Sequence, residues 1–385
     1  MGVWGIFSSK KNVIFDLFCI FNCIENDKNK TKMSKYLKLF DTHNEYSAFT
    51  QTEDFVKPNV SHCIQENEVH YNPYDYSDRY LTFVVRESGT TFQFNGKTVD
   101  NVVNVASFSI DNGETWTELP SGATTAALDA GDRILWKGEM TPNSSNYEGI
   151  GTFTSTKTFD VEGNVMSLLF GDNFKGQTSL DGKNYVFSNL FFENTNVVSA
   201  KNLSLPATTL ANYCYGGMFW GCTSLTTAPE LHATTLAQNC YNGMFRDCTS
   251  LTRAPELPAT TLANSCYVTM FYGCTSLTTA PQLPATTLAD YCYFSMFQVC
   301  TSLTSTPELP ATTLANSCYQ YMFRGCTNLN YIKAMFTTTP SDTYTKNWVD
   351  GVASTGTFVK NSAATWNVSG VNGVPEGWTV ETASA

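Results

Sequence analysis

The chain has 385 residues, 42% hydrophobic and 15% charged, with a net charge of −11. That apolar fraction excludes a globally disordered chain, and the length allows two or three domains. The acidic balance excludes a nucleic-acid partner, because phosphate backbones are held by clustered Lys and Arg and no basic patch of that kind is present.

In chain order, residues 1–32 form a leader or upstream extension. Lys10 and Lys11 precede an apolar stretch from Val13 to Ile24, and two readings stay open. One is a poor signal peptide, interrupted by Asp16 and Asn22 and followed by no small-x-small cleavage site. The other is a start at Met33, with the preceding residues as upstream translation. The apolar stretch is too short to span a bilayer, so no integral membrane span is expected. Residues 33–77 are polar and read as an attachment segment able to dock to a partner, without a derivable fold. His62, Cys63 and His70 lie close together in it, but at no zinc-template spacing. No metal site and no cofactor are expected.

Residues 78–167 predict an Ig-like β-sandwich. Leu81–Val85 is β-rich. Residues 92–99 alternate around Asn95-Gly96, and residues 107–117 around Asn112-Gly113, both hairpin signals. Leu128 to Lys137 adds a turn and a strand. Ser109-x-Asp111-x-Gly113-x-Thr115-Trp116 has the form of an Asp-box, but only one copy is present, and the Asn112-Gly113 turn alone favours a plain hairpin. Residues 168–204 are expected to cap a repeat array on its N-terminal side.

From 205 to 334 the chain repeats with a 26-residue period in five copies. Cysteines recur at 214, 240, 266, 292 and 318, and at 222, 248, 274, 300 and 326. Leu210, Cys214, Met218 and Cys222 fall at intervals of four, with Tyr215 and Phe219 beside them. That stripe predicts a short helix, and Leu225 to Ala228, ended by Pro229, predicts a short parallel strand. One such unit cannot bury its apolar face alone, so the units are expected to stack. The predicted fold class is therefore mixed α/β: an N-terminal β-sandwich, then a leucine-rich-repeat solenoid with one helix and one strand per unit. The repeat cysteines read as buried thiols in preference to disulfides or metal ligands. Residues 335–385 form a C-terminal cap, in which Trp348, Phe358, Trp366 and Trp378 cover the last coil.

Positions that vary between copies within a fixed frame are expected on the surface. They give Trp220, Arg246, Tyr272, Phe294, Tyr321 and Arg324 as candidate ligand-binding residues, on one flank. A second column, Glu230, Glu256, Gln282 and Glu308, reads as a solvated face. No catalytic residues are assigned, because no nucleophile elbow, phosphate loop, dinucleotide fingerprint or His-Glu-x-x-His string occurs.

The string Met218-Phe219-x-x-Cys222-x-x-Leu225-x-x-Ala228, followed by Leu231, resembles the BspA-like, or Treponema-type, leucine-rich repeats of bacterial surface proteins. That family has Ala-Phe for Met-Phe and a shorter unit. With the closing run from Gly373 to Val380, the chain looks like proteins of gut Bacteroidetes and their phages. The resemblance implies a non-enzymatic adhesion or recognition protein, extracellular or at the cell surface, binding a host protein or glycan. The alternative is an accessory or receptor-binding protein of a phage virion. A glycan-active enzyme is the third and weakest reading, since nothing selects a pair of carboxylates.

Overall fold

The computed structural model describes residues 76–142 and 149–383. The expectations placed on residues 1–75 lie outside the described residues.

The predicted mixed α/β class is overturned. Among the described residues helix is confined to α1 (Ser167–Phe170) and α2 (Asp342–Thr345), four residues each, and one 3-10 turn at Gly171–Asn173. Strands and turns make up the rest, and no unit of the repeat carries a helix.

The first part is built on a six-stranded sheet in the order β10-β9-β1-β7-β5-β6. These strands are β1 (Leu81–Val85), β5 (Ala106–Ser109), β6 (Thr117–Leu119), β7 (Arg133–Lys137), β9 (Phe159–Asn164) and β10 (Val197–Ser204). All pairs are antiparallel except β10 with β9, which is parallel. A second pair, β2 (Phe92–Gly96) with β8 (Gly151–Ser155), meets this sheet through aromatic rings. Phe83 of β1 lies 5.2 Å from Phe92, 5.0 Å from Phe153 and 4.9 Å from Phe159. Such tilted and edge-on contacts are the favoured arrangement for packed rings. The Ig-like sandwich is thus corrected to a mixed six-stranded sheet faced by a two-stranded one, and the sheet takes an edge strand from residues 197–204.

The two hairpin signals fare differently. Asn112 (φ 62°) and Gly113 (φ 91°) do turn the chain between β5 and β6. Asn95-Gly96 does not form a hairpin, because β2 pairs with distant β8. The reversal comes at Asp100 and Asn101, both at positive φ, between β3 (Thr98–Val99) and β4 (Val102–Val103). Gly96 is needed for a different reason: a Cβ there would sit 1.8 Å from the Asn104 carbonyl oxygen.

The repeats stack as coils. In the first copy, Tyr213, Tyr215, Gly217, Phe219 and Gly221 donate N–H to the next coil, to the carbonyls of Gln238, Cys240, Asn242, Met244 and Arg246, at 2.8–3.0 Å. The residues between them, from Cys214 to Cys222, donate instead to the carbonyl three residues back. Tyr213, Gly217 and Gly221 have positive φ, as do their counterparts in every copy. The segment is therefore a run of four-residue turns laid side by side with its neighbours. An α-helix would bond i to i−4 and keep φ negative throughout. This is the physical reason that the spacing of four, expected to mean a helix, does not produce one.

The strand expected in each unit is also corrected. On the side where the strand was expected, early coils pair among the described residues in single parallel bridges, such as Ser199 with Thr227 and Arg253 with Thr279. A parallel sheet forms at the far end, from β11 (Ser305–Leu309), β12 (Tyr331–Ala334), β13 (Thr357–Lys360) and β14 (Thr379–Thr382). Pro307 lies inside β11 and does not end it; the register is broken there, between Ser305 and Glu308.

Two aromatic columns run along the stack. Consecutive rings of the Tyr215 column and of the Phe219 column are 5.6–5.9 Å apart and within 4–10° of parallel across the five copies. Phe187 and Phe191 extend both columns toward the sheet, and Phe191 touches Phe83 and Phe153. Trp348 closes both columns at the other end, 6.2 Å from Tyr319 and 6.1 Å from Phe323. Trp348, Trp366 and Trp378 are buried, and each indole N–H donates to a backbone carbonyl: those of Gly373, Phe336 and Ala353. One hydrophobic core runs from Leu81 to Trp378.

Candidate functional site

The turn path decides which side chains leave the core. In each copy the Tyr, Met and Phe of the Tyr-x-x-Met-Phe string point inward and are 0–2% exposed. The residue after the Phe emerges on one flank. Along the stack this column contains Phe192, Trp220, Arg246, Tyr272, Gln298 and Arg324.

Three of the six candidates meet directly. The Arg246 guanidinium carbon lies 4.4 Å from the Trp220 ring centroid and 4.5 Å from that of Tyr272. A cation held over two ring faces is attracted by both quadrupoles. Phe192 adds an edge-on contact to Trp220 at 5.5 Å. Asp247 ties the group together: its Oδ2 accepts the Trp220 indole N–H at 3.2 Å and lies 3.4 Å from Arg246 Nε. Trp220, Arg246 and Tyr272 are all half-buried, not fully exposed as their variation suggested.

The other three form a second group. Phe294 and Tyr321 meet at 5.5 Å, with Tyr291 beside Phe294 at 5.8 Å. Arg324 sits 5.8 Å over the Tyr321 ring, and its Nε lies 3.1 Å from Asp350 Oδ2. Tyr321 does not share the Trp220 column. It stands at the positive-φ position that Gly217, Gly243, Thr269 and Ser295 hold in other copies.

Four participants escaped sequence reasoning: Phe192, Asp247, Tyr291 and Asp350. Asp247 left a visible signal. Its column otherwise carries Gly221, Gly273, Val299 and Gly325, so it is the one charged residue there among the five copies. Phe192 and Asp350 lie outside the five copies and could be aligned only once the end coils were known to follow the same path.

The remaining candidate features resolve simply. Glu230, Glu256, Gln282 and Glu308 are exposed, and Glu308 pairs with Lys333 at 2.6 Å. The Asp-box closes its own loop: Asp111 accepts from Ser109 Oγ at 2.6 Å and from the Thr115 N–H at 2.9 Å. Those bonds, the one from Ser109 first, hold its carboxyl down at about 2. All ten repeat cysteines are free and buried. A cleft of about 550 Å³ at the last coil is lined by Val349, Val352, Val368, Val371 and Pro375, with Glu376 as its one carboxylate. Among the described residues no helix is long and apolar enough to cross a membrane.

Comparison with protein-family models, with curated proteins and with solved structures gives no match in any of the three.

Proposed function

We propose that the chain is a non-enzymatic recognition protein, displayed at a cell surface, that holds a host protein or glycan against the flank of its repeat stack. The observation that carries this reading is the Trp220 column. Each unit keeps its inward residues fixed, while the adjoining outward position changes from Trp to Arg to Tyr to Gln to Arg. A frame held by buried columns tolerates such changes without loss of fold. Aromatic and Arg side chains are the types enriched at binding hot spots. Surface display is supported by the likeness of the unit to BspA-like repeats.

The test is a binding screen of the full chain against glycans and matrix proteins, repeated with Trp220→Ala and Tyr272→Ala. A ligand held by this flank should bind each variant about tenfold more weakly or worse, a typical hot-spot loss, while the chain still unfolds in one cooperative transition. The reading fails if nothing on the panel binds, or if a bound ligand ignores both substitutions.

A further inference from the structure

We infer that Arg246 is a receptor for a carboxylate, so that the partner docks by laying an Asp or Glu side chain of its own against it. This deepens the recognition reading above and rests on it.

The geometry leaves the guanidinium one free edge. The guanidinium is held between Trp220 and Tyr272, of the coils on either side, with its central carbon 4.4 Å and 4.5 Å from their ring centroids. Its Nε is buried without a hydrogen bond. Asp247 Oδ2 approaches that nitrogen only to 3.4 Å. The side chain is nonetheless 32% exposed, and its two terminal nitrogens are the donors still to be placed. Neither has a hydrogen-bond partner among the described residues. A guanidinium presents these nitrogens as a planar fork that matches a carboxylate with two parallel hydrogen bonds. The two rings hold the guanidinium in place in advance, so little side-chain freedom is lost when an anion binds.

The same contacts select the kind of partner. A sugar ring recognised by an aromatic residue stacks on the ring face, and here the guanidinium occupies a face of both Trp220 and Tyr272. What the cluster offers outward is an edge suited to a planar anion, so an acidic protein segment is favoured over a glycan. The net charge of −11 opposes an acidic partner at long range. At physiological salt that repulsion is screened beyond about 8 Å, and the short-range pair decides. Arg324 is a weaker version of the same device. It has one ring, at 5.8 Å, its Nε is bonded to Asp350, and it is 46% exposed.

The experiment titrates the full chain with a short Glu-Gly peptide at fixed, physiological salt, with polygalacturonate and a Lys-Gly peptide as parallel arms. Arg246→Lys is the informative variant, since it keeps the charge and removes the fork. Arg246→Gln removes both, and Arg324→Gln is the comparison. The expected result is binding of the Glu-Gly peptide, weakened about tenfold or more by Arg246→Lys as well as by Arg246→Gln, and less by Arg324→Gln. A melting curve for Arg246→Lys that matches the native chain keeps the comparison valid should Arg246→Gln fail to fold. Equal binding by Arg246→Lys overturns the receptor, as does an absence of peptide binding. Tighter, Arg246-dependent binding of polygalacturonate overturns the choice of a protein partner. A panel ligand that binds Arg246→Lys like the native chain sinks this inference and spares the recognition reading. A panel without any binder, beside a Glu-Gly peptide that still needs Arg246, does the reverse.

Discussion

The Tyr215 hydroxyl is buried without a hydrogen-bond partner, although its ring is packed between Phe187 and Tyr241. A buried polar group left unpaired costs on the order of 1–3 kcal/mol. The preceding coil already solves the problem with Phe187 in the same column. Tyr215→Phe should therefore raise stability by about 1 kcal/mol, read as a higher midpoint in urea; a lower midpoint would show that the hydroxyl has a role in the fold. The thiols of the second column are better served. Cys222, Cys248, Cys274, Cys300 and Cys326 each donate to a Phe carbonyl of the preceding coil at 3.0–3.1 Å. Burial pushes the thiols up, to about 12 at Cys214, Cys266, Cys318 and Cys326. Burial likewise drives the Tyr215, Tyr241, Tyr267, Tyr293 and Tyr319 hydroxyls well above their ordinary value. The sign follows from proton counting. Above about pH 8.5 the unfolded chain loses thiol protons that the folded chain keeps, so stability is fully present below that pH and falls as pH rises. Each group then costs about 1.4 kcal/mol per pH unit until its folded-state value is reached. Urea midpoints that stay level from about pH 8 to about pH 10 would contradict this.

At the scale of the element, the four-residue turn places a positive φ at three positions per coil, which Gly fills without strain and residues such as Tyr213, Thr269 and Val299 fill at a cost. At Gly273 φ is 72°, and a Cβ would lie 2.2 Å from Asp247 Oδ1. Left-handed backbone costs an ordinary L-residue about 1–2 kcal/mol. Gly273→Val should cost at least that, and it should also push Asp247 away from Trp220 and Arg246. The expected signature is a lower melting temperature together with weaker ligand binding on that flank; an unchanged melting temperature would show that Asp247 gives way freely, since Val299 already holds the same position at φ 63°. The same position explains what the sequence could reveal. Columns at 214, 218 and 222 fit a helix and this turn path equally well, so the buried residues were legible while their backbone was not. The discriminating signal was glycine. Gly217 and Gly221 stand four apart inside the supposed helix, and Gly243, Gly273 and Gly325 repeat those positions in other copies. A helix interior disfavours glycine by about 1 kcal/mol per residue, so such recurrence argued against it. In the sheet, the β-rich Leu81–Val85 run and the Asn112-Gly113 turn were legible from local pattern. The pairing of β2 with β8 was not, because it joins segments far apart in sequence. The candidate flank was legible as a variable column, yet the seating of Arg246 between Trp220 and Tyr272 depends on coil registry, which no single unit contains.

For the molecule as a whole, the aromatic columns link the sheet to the stack without a break. Phe83 and Phe153 touch Phe191, Phe191 stacks on Phe219, and the series continues to Phe323 and Trp348. In such an array each coil bonds only to its neighbours, so stability is approximately a sum of unit and interface contributions. Removing one whole unit should then shorten the molecule without disturbing its path. Deletion of residues 257–282 joins Glu256 to Leu283, which occupies the place of Leu257. Every buried column keeps its residue type across the new junction: Phe245 meets Phe297, Tyr241 meets Tyr293, and Cys248 meets Cys300. The shortened chain should fold with the same circular dichroism per residue and a smaller urea m-value, in proportion to the surface lost. Deletion of half a unit, residues 257–269, is the control. It places Met270 at the position of Leu257 and puts the following columns out of register, so Met, Phe and Cys residues would face water. That chain should fail to fold or should aggregate. If both deletions behave alike, the coils are not held by their columns, and the stacked core loses its place as the source of stability.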